Sequence, residues 1–126
     1  MVAEGVSIAM WSGPRNISTA MMYSFDNRAD CFASDEPLYA HYLSRTGIKH
    51  PDADVVMTRH ETDADAVTDY LTGAIPGAAG VWYQKHMCHH ILPDMDTGWL
   101  AALENCFLIR DPRAVSYTHL TLPTKA

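Results

Sequence analysis

The chain has 126 residues, 48% of them hydrophobic and 19% charged, a composition that excludes a disordered polypeptide and fits one globular domain at most. Its net charge of -6 argues against broad binding to nucleic acid or an anionic membrane, but it permits one small anion held by local cations and backbone amides. Three widely spaced cysteines favour reduced thiols in a cytoplasm, and neither a signal peptide nor a membrane span is predicted.

The first forty residues predict a strand, a tight loop, a helix and a second strand. The apolar run Val6–Trp11 ends at a Ser-Gly-Pro turn, which is typical of a buried strand. Residues 18–27 are rich in helix formers and open with two hydroxyl residues, which suit a helix start. A short strand is predicted over Asp30–Ser34, and a helical turn over Leu38–Leu43.

The middle of the chain is less regular. Residues 44–58 are polar and rich in turn formers, and they show no periodicity, so no element is predicted there. An acidic helix is predicted over Glu61–Leu71. Its apolar residues Ala64, Val67 and Leu71 are spaced three and four apart, as on one face of a helix.

The second half again alternates strands with helices. Strands are predicted over Gly80–Lys85 and Cys106–Ile109. Between them, Met87–Leu92 begins a helix that Pro93 stops, and Trp99–Leu103 forms a short helix. This alternation predicts an α/β fold with helices on a parallel sheet, in which the strand after Gly80 lies beside the first strand or its neighbour.

The last eleven residues differ from the rest. Residues 116–126 show neither helical nor strand periodicity, and they resemble translated sequencing-adapter read-through. We therefore expect a partial domain over residues 1–115 and a non-native tail over residues 116–126 that packs against nothing. A genuine disordered C-terminus is the alternative.

The segment Ser12–Thr19 has the residues that a phosphate-binding loop needs. It joins a strand to a helix, so backbone N–H groups and the positive end of the helix dipole point at one spot. Gly13 permits a tight turn, Arg15 adds a fixed charge, and Ser18 and Thr19 add hydroxyl donors. It is not a Walker A motif, and alone it fits an ordinary capped strand–helix turn equally well.

A second cation follows the last strand. Arg110 stands where Cys106–Ile109 ends, and ligands of open parallel sheets bind beyond the carboxyl ends of strands. An arginine there can clamp a second phosphate with two hydrogen bonds. The alternative is a surface arginine paired with Asp111.

These two segments are similar to motifs of the P-loop sulfotransferase superfamily. Pro14-Arg15-Asn16-Ile17-Ser18-Thr19 resembles that family's phosphosulfate-binding loop, Pro-Lys-x-Gly-Thr-Thr, with Arg15 in place of the lysine. Arg110-Asp111-Pro112 resembles its Arg-x-Pro segment, which binds a 3′-phosphate. The likeness covers about residues 5–115 and is strongest to a bacterial branch with plant relatives, some of them named as branched-chain aminotransferase-like proteins.

The resemblance implies a P-loop three-layer fold that lacks its C-terminal half, which closes over the nucleotide in the family. It also implies transfer of a sulfonate group from 3′-phosphoadenosine 5′-phosphosulfate (PAPS) to a hydroxyl or amine acceptor. No metal is expected. The donor-binding residues would be Ser12, Gly13, Pro14, Arg15, Asn16, Ile17, Ser18, Thr19 and Arg110.

The catalytic candidates are Arg15, Glu36, Lys85 and His86. Sulfonate transfer needs a base for the acceptor proton and cations for the charge on the bridging oxygen. Glu36 follows the second predicted strand, near the place where some sulfotransferase branches have a glutamate, and the alternative is a solvated turn carboxylate. Lys85 and His86 end the strand after Gly80, and either is a candidate base; the alternative for His86 is a buried core histidine.

Other functions remain open. A phosphate loop does not name the transferred group, so a nucleotide-dependent kinase-like protein is one alternative, and a non-catalytic nucleotide-binding module is another. A zinc site among His86, Cys88, His89 and His90 is not favoured, because their spacing is crowded and no second ligand cluster is evident. No pyridoxal-phosphate motif supports an aminotransferase.

Overall fold

The computed structural model describes residues 5–13 and 17–109. Its centre is one four-stranded sheet with the strand order β2-β3-β1-β4, in which every pairing is parallel. The predicted α/β fold with a parallel sheet is therefore confirmed. The strands are β1 Val6–Ser12, β2 Cys31–Asp35, β3 Val81–Met87 and β4 Glu104–Leu108.

The register places the ends of three strands at one edge. Strand β1 pairs with β3 from Val6 opposite Val81 to Ser12 opposite Met87, as predicted for the strand after Gly80. Strand β2 joins the other side of β3 and brings Asp35 opposite Lys85. Because all strands are parallel, their carboxyl ends share one edge of the sheet, where α/β proteins bind ligands.

Helices cover both faces of this sheet. Successive residues of a strand point to opposite faces, so Trp82 and Tyr83 mark the two sides of β3. Both side chains are fully buried; Trp82 packs in a core with Leu71, whereas Tyr83 stacks on Phe25 with ring centroids 4.4 Å apart. The helices are α1 Ser18–Asp26, α2 Tyr39–Thr46, α3 Ala53–Arg59 and α4 Ala64–Leu71, with 3₁₀ turns at Pro76–Ala78, Cys88–His90 and Gly98–Ala102.

One helix was not predicted. Helix α3 lies within residues 44–58, for which we predicted no element. It buries no residue, and Asp52 precedes it with a left-handed φ of 64°. Its half-buried residues Ala53, Val56 and Met57 are spaced three and four apart, but the helix has only seven residues, so the repeat is too short to stand out from its polar neighbours.

The connection between β3 and β4 is shorter and tighter than predicted. The helix expected to begin in Met87–Leu92 is only the 3₁₀ turn Cys88–His90, while β3 continues to Met87. The helix predicted over Trp99–Leu103 is also 3₁₀, and β4 begins at Glu104 instead of Cys106. Short 3₁₀ turns contain too few residues for a helical repeat to be visible in the sequence.

Several predictions lie outside the described residues. These are the behaviour of residues 116–126 and the positions of Pro14, Arg15, Asn16 and Arg110. Within residues 5–13 and 17–109, no helix has the length and apolar character needed to cross a membrane.

The Leu71 side chain provides a test of the core. It is fully buried with Trp82 and Leu38, so Leu71→Ala leaves a cavity and should lower the free energy of unfolding by about 2–5 kcal/mol. Urea unfolding followed by circular dichroism measures this loss. The control Val55→Ala, at a side chain 47% exposed, should cost much less; equal losses would contradict the assigned core.

Candidate functional site

One buried ammonium group organises the carboxyl edge of the sheet. The Lys85 Nζ atom donates hydrogen bonds to Glu36 Oε2 at 2.8 Å and to Thr19 Oγ1 at 3.2 Å. It also lies 3.4 Å from Asp35 Oδ1. We call these four residues the Lys85 cluster. It joins β3, the end of β2 and the first turn of α1, and it brings together three residues that the sequence had placed at the site: Thr19, Glu36 and Lys85.

Lys85 stays charged at neutral pH. Burial of the side chain, which is 6% exposed, by itself lowers the pKa of Lys85. The hydrogen bond and negative charge of Glu36, assisted by Asp35, outweigh that effect, so the pKa is raised above its ordinary value. Three N–H donors meet three oxygen acceptors, which is how a buried lysine avoids an uncompensated charge.

Glu36 is held by its backbone as well as by its side chain. Its amide N–H donates to the Lys85 carbonyl at 2.9 Å, and its own carbonyl accepts from the Tyr39 amide at 3.0 Å. Its φ of 47° lies in the left-handed region, which costs a non-glycine residue about 1 kcal/mol or more. Surrounding contacts thus keep the carboxylate beside Lys85 at the sheet edge.

The described ends of the loop are residues 12–13 and 17–18. Ser12 and Ser18 are both buried, at the end of β1 and the start of α1. A Cβ added to Gly13 would meet no atom of the described residues within 4 Å. Ile17, the N-cap residue of α1, makes no side-chain cap hydrogen bond to the first turn.

His86 points to the other face of the sheet. Its imidazole is fully buried, stacks on Trp11 with ring centroids 4.4 Å apart, and pairs through Nε2 with Gln84 Oε1 at 3.1 Å. Burial lowers the pKa of His86 to about 3, so it is neutral at physiological pH. Lys85 and His86 are adjacent in sequence, but only Lys85 reaches Thr19 and Glu36.

A different histidine approaches Glu36. His90 Nε2 lies 3.8 Å from Glu36 Oε1, which is too long for a hydrogen bond. Its ring packs against Tyr39 and Tyr42, with centroids 5.4 and 4.9 Å away. Burial, with the nearby His89 and the Lys85 charge, lowers the pKa of His90 to about 4. In the sequence, His90 stands only in the crowded His and Cys group that does not favour a zinc site, and no other pattern there indicates a site residue.

A cleft of about 490 Å³ opens beside Glu36. Helices α2 and α3, the end of β2 and the turn after β3 all contribute to its walls. In the part of the chain that the structure describes, no group of three or more His, Cys, Asp or Glu residues is arranged to hold a metal ion. Its walls include Glu36, Tyr39, His50, His60, His89 and His90.

The chain is similar to proteins of known families. A family model described as a sulfotransferase domain matches residues 6–120. Two Arabidopsis thaliana proteins are each 36% identical to the chain. Branched-chain-amino-acid aminotransferase-like protein 1 aligns over 88% of this chain and 20% of its own length, and protein 2 over 83% and 19%.

The chain spans about a fifth of the length of these curated relatives. No solved structure matches it at a comparable level of significance.

The neutral buried histidines predict acid sensitivity. An unfolded histidine takes up a proton near pH 6.5, whereas folded His90 does so only near pH 4, so stability should fall as the pH drops between these values. His90→Phe keeps a buried ring and should remove up to about 3 kcal/mol of that loss. Urea unfolding at pH 7 and pH 4 measures it. Tyr23→Phe is the control, and an unchanged loss in His90→Phe would contradict the assignment.

Proposed function

The chain belongs to the sulfotransferase domain family, and from that premise we propose that it transfers a sulfonate group from PAPS to a hydroxyl or amine acceptor. The observation that carries the proposal is the Lys85 cluster. A charged lysine, a hydroxyl at a helix start and a carboxylate meet where the loop after β1 joins α1. Cation, hydroxyl and base are the groups that sulfonate transfer requires.

The donor's 5′-phosphosulfate would lie against the start of α1. The nine-residue helix directs its positive dipole end and first-turn N–H groups toward the loop, and Thr19 adds its hydroxyl there. Lys85 supplies a positive charge within 3.2 Å of that hydroxyl. No atom of the described residues lies within 4 Å of a Cβ built on Gly13, which would let a phosphate-sized group approach the backbone there.

Other donor contacts are proposed from the sequence. Arg15, with Pro14 and Asn16, would complete the cradle for the 5′ end, and Arg110 would hold the 3′-phosphate; all four lie outside the described residues. Ser12, Ile17 and Ser18 adjoin the loop, but the side chains of Ser12 and Ser18 are buried and Ile17 is apolar. Their contribution is expected mainly through backbone amides.

Glu36 is the proposed base. The acceptor oxygen or nitrogen attacks the sulfur atom, and a new bond to sulfur forms as the bond from sulfur to the 5′-phosphate oxygen breaks. The bonding electron pair leaves with adenosine 3′,5′-bisphosphate. The acceptor proton passes to the Glu36 carboxylate and then to solvent.

Lys85 would act as a cation and not as a base, because its raised pKa keeps it protonated. Its ammonium group, with Arg15, would stabilise the negative charge that grows on the bridging oxygen. A catalytic role for His86 stays a prediction that its position does not favour, since it is buried on the opposite face against Trp11.

Two alternatives stay testable. A kinase-like protein would transfer a phosphoryl group and would accept ATP, and a non-catalytic module would bind nucleotide without turnover. The carboxylate–lysine pair at the loop favours a transferase over the module, because a binding site for an anion gains nothing from an adjacent carboxylate. We also propose a cytoplasmic location, in keeping with three cysteines that form no disulfide.

Glu36→Gln tests the base. It keeps the shape of the side chain and removes the proton acceptor, so turnover should fall by about 10²–10⁴-fold. The measurement is release of adenosine 3′,5′-bisphosphate from PAPS with phenol or benzylamine as acceptor. Glu104→Gln, an exposed carboxylate on β4, should leave turnover unchanged.

Two results would contradict this mechanism. Wild-type turnover with ATP but not with PAPS would favour the kinase-like alternative. Binding of PAPS without turnover by the wild type would favour the non-catalytic module.

Arg110→Ala tests the second anion clamp. Loss of a charge-assisted contact to the 3′-phosphate should lower the affinity for PAPS about ten- to a hundredfold. Adenosine 5′-phosphosulfate lacks that phosphate, so its affinity should hardly change. Calorimetric titration of both nucleotides into wild type and variant measures the difference. Equal losses for the two nucleotides would defeat the assignment.

A further inference from the structure

We propose that Asp35 is an exchangeable partner of Lys85, which pairs with the ammonium group before the donor binds and then yields its place to an anionic oxygen of the donor. Asp35 is thus a positioning residue that sets donor affinity. The inference rests on the proposed function, because it concerns the same lysine. Three observations carry it: the saturation of the ammonium group, the unequal hold of its partners and the register of the strands.

Each N–H group of the Lys85 ammonium already has an acceptor within reach. A lysine side chain offers three N–H donors and no acceptor. The oxygen atoms around Nζ are Glu36 Oε2 at 2.8 Å, Thr19 Oγ1 at 3.2 Å and Asp35 Oδ1 at 3.4 Å. An anion that is to accept a hydrogen bond from this buried group must therefore displace one of the three oxygens.

Asp35 is the most loosely held of the three acceptors. Its distance to Nζ is longer than an ordinary hydrogen bond, and its side chain is 57% exposed, compared with 28% for Glu36. Water can therefore replace its contact with Lys85 at little cost. By contrast, Glu36 is fixed by two backbone hydrogen bonds, and Thr19 lies in the first turn of α1. Asp35 is the partner that an incoming anion displaces most easily.

The register of the strands places Asp35 where the donor would arrive. Strands β2 and β3 pair in parallel with Asp35 directly opposite Lys85, so both side chains leave the sheet on the face that carries Thr19 of α1. Asp35 is also the last residue of β2, at the carboxyl edge where parallel sheets bind their ligands. Its carboxylate therefore lies at the edge that the donor's phosphosulfate would approach.

The charges of the Lys85 cluster make the exchange favourable for an anion. The carboxylates of Asp35 and Glu36 face one ammonium group, which leaves a negative charge in excess that repels an incoming anion. When Asp35 turns toward solvent, this repulsion weakens and one N–H of Lys85 becomes free, while Glu36 keeps its own bond to the lysine. After transfer, the return of Asp35 to Lys85 favours release of adenosine 3′,5′-bisphosphate.

The test measures anion binding without any transfer step. The probes are inorganic sulfate and adenosine 3′,5′-bisphosphate, added to the whole chain at constant ionic strength, because salt screens charge. Binding is followed by the NMR signals of ¹³C-labelled lysine side chains. The other lysines are Lys49 and Lys125, and a Lys→Arg substitution at each assigns the signals. In the wild type, both probes should shift the Lys85 signal.

Asp35→Asn keeps the shape of the side chain and removes its charge, so the affinity for both probes should rise about two- to fivefold, as expected for loss of a competing exposed ion pair. A gain is diagnostic, because loss of a residue that only supports the fold lowers affinity. Asp35→Ser, which removes the carboxylate, should give a similar gain. Asp26→Asn is the matched control at the last residue of α1, about 10 Å along the helix from Thr19, and it should leave the affinity unchanged.

Several results would overturn the exchange. Absence of a Lys85 shift in the wild type does so whether or not the variants fold, because the anion then does not reach the ammonium group. Unchanged or lower affinity in the Asp35 variants, or an equal gain in Asp26→Asn, also overturns it, even where the wild type turns over PAPS. A gain confined to the Asp35 variants, in a protein that does not turn over PAPS, would uphold the exchange and overturn the proposed transfer reaction.

Discussion

The buried charge of Lys85 is the constraint on which the site depends. An ammonium group that is 6% exposed requires acceptors, and the structure supplies them from three separate elements: Thr19 on α1, Asp35 on β2 and Glu36 in the turn that follows. Removing the pairing would leave a buried charge uncompensated, at a cost of several kcal/mol. The requirement to satisfy one cation therefore fixes the helix start, the turn and the sheet edge relative to one another.

The turn at Glu36 shows how this arrangement is maintained. The positive φ of Glu36 is an unfavourable backbone conformation for a residue with a side chain. Its two backbone hydrogen bonds and its ion pair with Lys85 are all made in that conformation. The strain is thus balanced by contacts around it, as is common where a side chain must point in one direction for function. The carboxylate is positioned from two sides, as the proposed role of Glu36 as a base requires.

The two histidines near this edge, His86 and His90, differ in their surroundings. His86 pairs through Nε2 with Gln84 and stacks on Trp11, while its Nδ1 has no hydrogen-bond partner among the described residues. His90 packs against aromatic rings and lines the cleft beside the carboxylate, and its Nδ1 also lacks a hydrogen-bond partner in the described part of the chain. Both are neutral because burial disfavours the imidazolium. The difference between them lies in position, since His90 approaches Glu36 and His86 lies on the opposite face of the sheet.

The sequence by itself determined the elements whose signals are local. The apolar run of β1, the strand after Gly80 and the helix marked by Ala64, Val67 and Leu71 can all be predicted from neighbouring residues. Only the tertiary structure decided which of Lys85 and His86 faces Glu36, because alternation along a strand assigns opposite faces without saying which face meets which helix. It also revealed helix α3, in which no residue is fully buried, and the proximity of His90 to Glu36. These two residues are 54 positions apart, and parallel pairing brings them to one edge.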